Sequence, residues 1–288
     1  MDDLHRCAFC REPAERYFRR SGEEYIRCSG CGLIARRGNR GRQEDVSSAD
    51  YYRDIYFDEL AGDQTSGRRD RLFRQILDEI EKIVPTGSLL DVGCGCGFFL
   101  GSARDRGWTV LGVEPSRKSV TYLREEHGDI RVVAGLDQIE PRERFDVITM
   151  INVLDHMDEP WGEIERASRH LKPAGLLFLR VPNGLFHASV FRFLQLMNRE
   201  RTAKQLTIFH QHSFVPDFIR RLLSRAGFEE IRLRNAPLSD SVRFSDRWPA
   251  VANGTARRIT WLVARFLELA SLGQWTAGPS LEVRARKQ

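Results

Sequence analysis

The chain has 288 residues, 41% of them apolar and 30% charged, with a formal net charge of +5. This is the balance of an ordinary globular protein, long enough for one large α/β domain and a small accessory module. No apolar run approaches the roughly 18 residues of a spanning helix and none follows Met1, so a cytoplasmic protein is expected, with its cysteines as thiols or metal ligands.

Charge is uneven along the chain: residues 46–185 carry a net −6 and residues 186–288 a net +9. An anionic partner would dock on the C-terminal third. No basic run interleaved with aromatics occurs there, so a solvated arginine-rich surface is the commoner reading.

The first elements are two knuckles, CAFC (7–10) and CSGC (28–31), with 17 residues between them. Cys7, Cys10, Cys28 and Cys31 match the spacing of a structural four-thiolate zinc site, which has no open position for catalysis. ERYFRR and EEYIRC read as short strands around Ser21-Gly22, so residues 1–45 are expected to form a zinc ribbon that metal helps to fold. Residues 35–50 are polar and read as a linker. Tyr51, Tyr52 and Tyr56 follow, either closing over a ligand or packing on the main domain.

From residue 69 onward, helical and strand patterns alternate. RDRLFRQILDEIEKIVP spaces its apolar residues as a helix; SLLDVG, WTVLGVE, IRVVAG, FDVITMINVL and GLLFLRVPN read as strands with helices between them. That alternation predicts a mostly parallel sheet with helices on both faces and a ligand at the carboxyl ends of its strands. The first strand runs into Asp91-Val-Gly93-Cys-Gly95-Cys-Gly97, where glycines let the backbone turn sharply and approach a ligand closely. Cys94 and Cys96 read as small fillers, because one C-x-C pair supplies only two ligands. The loop is G-x-G-x-G and not the dinucleotide G-x-G-x-x-G. Asp91 before it would repel a pyrophosphate and suits an ammonium. Glu114, 23 residues on, ends the second strand and is placed to accept from ribose hydroxyls. A nucleoside with a positive group and no phosphate is implied, and S-adenosylmethionine fits that description.

LLDVGCGCGFFL, VLGVEPS, FDVITMINVLDHMDEP and LKPAGLLFLRVPN together resemble the successive motifs of class I S-adenosylmethionine-dependent methyltransferases. The resemblance implies a Rossmann-like seven-stranded sheet over residues 46–288, with the cofactor half at about 69–183. It implies that Asp91, Gly93, Gly95 and Gly97 hold the methionine part, Glu114 the ribose, Asp137 lies near the adenine, and Asn152 and Val153 lie beside the sulfonium. The whole layout is similar to bacterial small-molecule methyltransferases with a four-cysteine module, including sugar C-methyltransferases, although those usually carry a further C-terminal domain. IFHQHSFVPDFIRRLLSRAGF resembles their segment after the fifth strand.

The C-terminal third contains an expected substrate-covering insertion, about 184–212, in which Phe191, Phe193, Leu194, Leu196 and Met197 cover an apolar acceptor or pack on the core. FEEIRLRNAP and PSLEVRARK are expected as the last two strands, the final one antiparallel, as the family implies. The helix read over 255–273 has three uses: core or dimer packing, a lipid-surface contact, or a substrate wall. Methyl transfer to a hydroxyl or an acidic carbon needs a base, and His156 and His210 are ranked ahead of His212, with Asp155 as an orienting group. The first expectation is methylation of a small molecule, sugar or lipid-linked intermediate, foremost at oxygen. The alternatives are an RNA methyltransferase gripping RNA through the ribbon and the basic third, and a non-catalytic binding module.

Overall fold

A computed structural model describes residues 5–37, 69–237, 250–271 and 275–288. Tyr51, Tyr52, Tyr56 and most of the expected linker lie outside the described residues.

The central element is a seven-stranded sheet. Its strands are β5 (Ser88–Val92), β6 (Thr109–Val113), β7 (Val132–Val133), β8 (Phe145–Ile151), β9 (Leu171–Pro182), β11 (Phe228–Asn235) and β12 (Ser280–Lys287), in the spatial order β11-β12-β9-β8-β5-β6-β7. β12 is antiparallel to both neighbours, and the described pairs among β5 to β9 are all parallel. The Rossmann-like sheet expected from the alternating pattern is therefore present. The order reverses at β5, with β6 on one side and β8 on the other, which opens a crevice at the carboxyl ends of these strands.

Among the described residues up to 237, six helices flank this sheet: α1 (Asp70–Glu81), α2 (Phe98–Asp105), α3 (Arg117–His127), α4 (Pro160–Arg169), α5 (Gly184–Leu196) and α7 (Pro216–Arg225); a short α6 (Glu200–Leu206) follows α5. α1 buries Leu72, Ile76, Leu77 and Ile80, one face at helical spacing. Pro160 and Pro216 each sit in the first turn of their helix, where a missing N–H costs nothing. Ser116 caps α3 by accepting from Ser119 N.

The cysteine module forms a second sheet of five strands: β1 (His5–Arg6), β2 (Pro13–Arg20), β3 (Glu23–Cys28), β4 (Ile34–Arg36) and β10 (His212–Ser213). The last of these comes from the far end of the chain. His212 pairs with Ala35 and Ser213 with Ile34, and Arg36 N donates to Gln211 O at 2.9 Å. One aromatic core joins the two sheets: Phe18 packs on Phe191 and Phe209, and Phe9 on Phe218. Phe191 is fully buried there, whereas Phe193, Leu196 and Met197 of the insertion are exposed.

The long C-terminal helix α8 (Ala250–Ala270) buries Asn253, Ala264 and Glu268 and exposes Val251, Ile259, Leu262, Phe266 and Leu269. Its core-facing side is held by polar groups: Asn235 N and Nδ2 both donate to Glu268 Oε2. No described helix is long and apolar enough to cross a membrane.

Candidate functional site

The crevice at the strand ends is a cavity of about 610 Å³. Asp91, Gly93, Gly95, Gly97, Glu114, Asp137, Asn152, Val153 and His156 all line it. Its floor is the loop between β5 and α2, where Gly93, Gly95 and Gly97 have φ of 77°, 53° and 80°. Only glycine takes these angles without strain. At Gly93 space is exhausted as well: a Cβ there would lie 2.3 Å from Val153 Cγ2.

Asp91 is buried beneath this loop. Burial pushes its carboxyl up to about 7, against the hydroxyl of Thr149, which donates to Asp91 Oδ1 at 2.6 Å and favours the anion. Thr149 is the register partner of Asp91 across β5 and β8, a pairing that periodicity alone does not reveal. Glu114, just past β6, has its carboxyl raised by burial too. Its two oxygens accept from Gly95 N and Ser116 N, both at 2.9 Å. The residue read as a ribose acceptor thus also ties the glycine loop to β6, and each oxygen keeps a second lone pair for a ligand. Asn152 sits at the end of β8 with φ of 53°, and its backbone N–H donates to Arg180 O.

The cavity wall carries six carboxylates, Asp91, Glu114, Asp137, Asp158, Glu159 and Glu163, against Arg69 and Arg166. Such a wall suits a cationic ligand and repels a phosphate. Arg69 and Phe98 also line it and carried no sequence signal. Cys94 and Cys96 are buried thiols whose pKa values burial raises, Cys96 up to about 12, which disfavours their thiolate forms.

At the cavity edge a short 3-10 turn, Leu154–His156, presents Asp155 and His156. His210, from the stretch leading into β10, joins them: its Nε2 lies 3.5 Å from Asp155 Oδ2, and His156 Nε2 lies 3.8 Å from the same atom. The two imidazole centroids are 3.8 Å apart. Asp155 is 2% exposed, and among the described residues neither carboxylate oxygen has a hydrogen-bond partner. Burial raises the Asp155 carboxyl and lowers both imidazoles to about 4, so each charged form is disfavoured. His212, two residues on, lies apart from this group with its ring against Trp161 and Phe214.

Away from the cavity, Cys7, Cys10, Cys28 and Cys31 converge, with all four Sγ atoms within 4.8 Å of one another. The Cys7–Cys31 and Cys10–Cys28 contacts are 3.6 and 3.4 Å. A tetrahedral zinc with bonds of about 2.3 Å spaces its sulfurs about 3.8 Å apart, so the donor set and its spacing fit. The contact with Cys31 holds the Cys7 thiol down to about 5 and pushes that of Cys31 up.

Residues 66–233 match the family model described as a methyltransferase domain. A ubiquinone biosynthesis O-methyltransferase of Bradyrhizobium sp. (strain ORS 278) is 30% identical over 100 residues, 33% of this chain and 40% of that protein. The corresponding protein of Bradyrhizobium diazoefficiens is 29% identical over 123 residues, 40% of this chain and 48% of its own length. The matched region thus spans less than half the length of either. Among solved structures, the plantazolicin methyltransferase BpumL in complex with SAH superposes with a TM-score of 0.54 at 14% identity, covering 84% of this chain and 94% of that one. At that identity the likeness is one of fold.

Proposed function

The chain belongs to the methyltransferase domain family, and from that premise we propose that it is an S-adenosylmethionine-dependent methyltransferase of a small molecule, sugar or lipid-linked intermediate, acting at oxygen. In this reading residues 1–45 are the zinc-holding part and 46–288 the transferase part. The observation that carries it is the pairing of a buried carboxylate, Asp91, with a half-buried one, Glu114, across a glycine loop in an acidic cavity of about 610 Å³. That combination suits an ammonium at one end and a ribose at the other. The oxygen assignment draws on the O-methyltransferase activity for which the matched relatives are named.

S-adenosylmethionine supplies a methyl group on a sulfonium, displaced in line by the acceptor. Asp91 receives the amino group, and the loop of Gly93, Gly95 and Gly97 lets the backbone approach the methionine part. Glu114 accepts from the ribose hydroxyls while its backbone partners hold the loop still. Asp137 stands at the adenine end, and Asn152 and Val153 border the reacting centre. The group at the cavity edge, His156 and His210 with Asp155, stands where the acceptor hydroxyl loses its proton. The four thiolates hold a structural zinc that braces the small sheet and, through β4 and β10, the approach of His210.

Calorimetric binding of S-adenosylmethionine to wild type, Asp91→Ala and Glu114→Ala tests the site. Binding at one equivalent in wild type and its loss in both variants is expected; undiminished binding in both would falsify the assignment. RNA is the weaker reading, because one edge of the cysteine sheet is taken by β10 and its aromatic face by Phe191, Phe209 and Phe218.

A further inference from the structure

The arrangement of Asp155, His156 and His210 is poor as a hydrogen-bonded base and good as a ligand set. Both Nε2 atoms approach one carboxylate oxygen, at 3.5 and 3.8 Å, longer than imidazole–carboxylate hydrogen bonds. Two ligand atoms on a tetrahedral ion with bonds of about 2.1 Å lie about 3.4 Å apart. All three ligand atoms lie within 4.8 Å of one another. The carboxylate is buried and, among the described residues, neither of its oxygens has a hydrogen-bond partner, a state that a shared cation resolves. The site borders the transfer cavity, since His156 lines it. The ligands arrive from two separate segments, the turn after β8 and the stretch before β10, the second anchored by β4.

We propose that Asp155, His156 and His210 hold a divalent transition-metal ion whose open positions face the transfer cavity and bind the acceptor oxygen. Two nitrogens and one carboxylate are the donor set of open-sided metal centres, and they leave coordination positions free. The proposal rests on the methyltransferase reading and specifies how the acceptor proton leaves. The acceptor hydroxyl ligates the ion, which lowers its pKa, and its proton passes to solvent base. The oxygen then forms the new O–CH3 bond, the S–CH3 bond breaks, and its electron pair stays on sulfur, which becomes a neutral thioether. His156 and His210 act as ligands in this scheme, and the acceptor is a hydroxyl compound able to reach the ion.

The test is cobalt titration of the full chain after exhaustive removal of metal, followed by visible spectroscopy and by metal analysis of the saturated protein. Two equivalents are expected. One gives the thiolate charge-transfer bands of the four-cysteine site, and the other gives only weak ligand-field bands. Asp155→Asn and His210→Ala should each remove the second equivalent and leave the thiolate bands intact. A wild-type chain that saturates at one equivalent, with thiolate bands alone, overturns the proposal; so does a second equivalent that survives both substitutions. Should either variant lose the thiolate bands through misfolding, His156→Gln takes its place, and the wild-type stoichiometry decides in any case. S-adenosylmethionine binding is measured in parallel. A chain that takes the second ion and not the nucleoside refutes the methyltransferase reading alone. A chain that takes the nucleoside and only one ion refutes the ion site alone.

Discussion

With Asp91 as the proposed acceptor of the ammonium, the cofactor affinity should depend on pH. In the empty cavity burial raises its carboxyl from the ordinary carboxylate range to about 7, with the nearby Glu114 adding to the rise and the Thr149 hydroxyl opposing it. Binding an ammonium requires the anion, so the proton must leave first. The apparent affinity then follows the ionised fraction of the empty protein, which falls as pH falls through 7. With a pKa of about 7, that fraction is about three quarters at pH 7.5 and about one eleventh at pH 6, an eightfold loss of affinity or about 1.2 kcal/mol. Staying at or below pH 7.5 keeps most of the ligand's own amino group protonated. Calorimetry at pH 7.5, 7.0, 6.5 and 6.0 in buffers of different ionisation enthalpy measures both the affinity and the proton released. Thr149→Val should steepen the effect within this window, because it removes the one hydrogen bond favouring the anion. An affinity that is flat from pH 7.5 to 6, with no proton released, would refute the placement of the ammonium at Asp91.

Three further outcomes are expected. Gly93→Ala places a Cβ 2.3 Å from Val153 Cγ2 at a φ of 77°; left-handed strain and overpacking together cost about 2–5 kcal/mol, visible as a lowered Tm and lost cofactor binding. Cys28→Ser, or stripping of zinc, loosens the small sheet and the β4–β10 pairing ahead of the cofactor half. Turnover should therefore fall while S-adenosylmethionine binding at β5 and β6 persists, a split read by assaying both on the same sample. Phe191→Ala empties a fully buried site between the two sheets; a loss of about 3–5 kcal/mol in denaturant unfolding is expected.

Much of this architecture was legible because it repeats over long stretches. Ser88–Val92 and Phe145–Ile151 are short, mostly apolar runs, and α1 spaces Leu72, Ile76 and Ile80 at helical intervals, so strand and helix separate by length and period. The knuckles and the glycine loop were legible for a different reason: thiolate ligation and positive φ each demand a particular residue type at a particular spacing. What stayed hidden depends on contacts between distant segments. β10 is two residues long, too short for any period, and its partner β4 lies more than 170 residues earlier. Thr149 looks like one more strand residue until the register sets it opposite Asp91. The α8 pattern did show an apolar stripe, yet the structure turns polar Asn253 and Glu268 inward, because Asn235 at the sheet edge needs acceptors there. Asp155 was readable as a neighbour of His156, but its burial with no hydrogen bond among the described residues was not.

The most direct test of the central claim is methyl transfer itself. Purified full-length protein is incubated with S-adenosylmethionine carrying a labelled methyl group and with total extract from the source cells. The products are then partitioned into small-molecule, lipid, protein and nucleic-acid fractions. Label in the small-molecule or lipid fraction, absent with Glu114→Ala, is the predicted result and identifies the acceptor for isolation. Label confined to nuclease-sensitive material, or none in any fraction from a chain that binds the cofactor, would contradict the account.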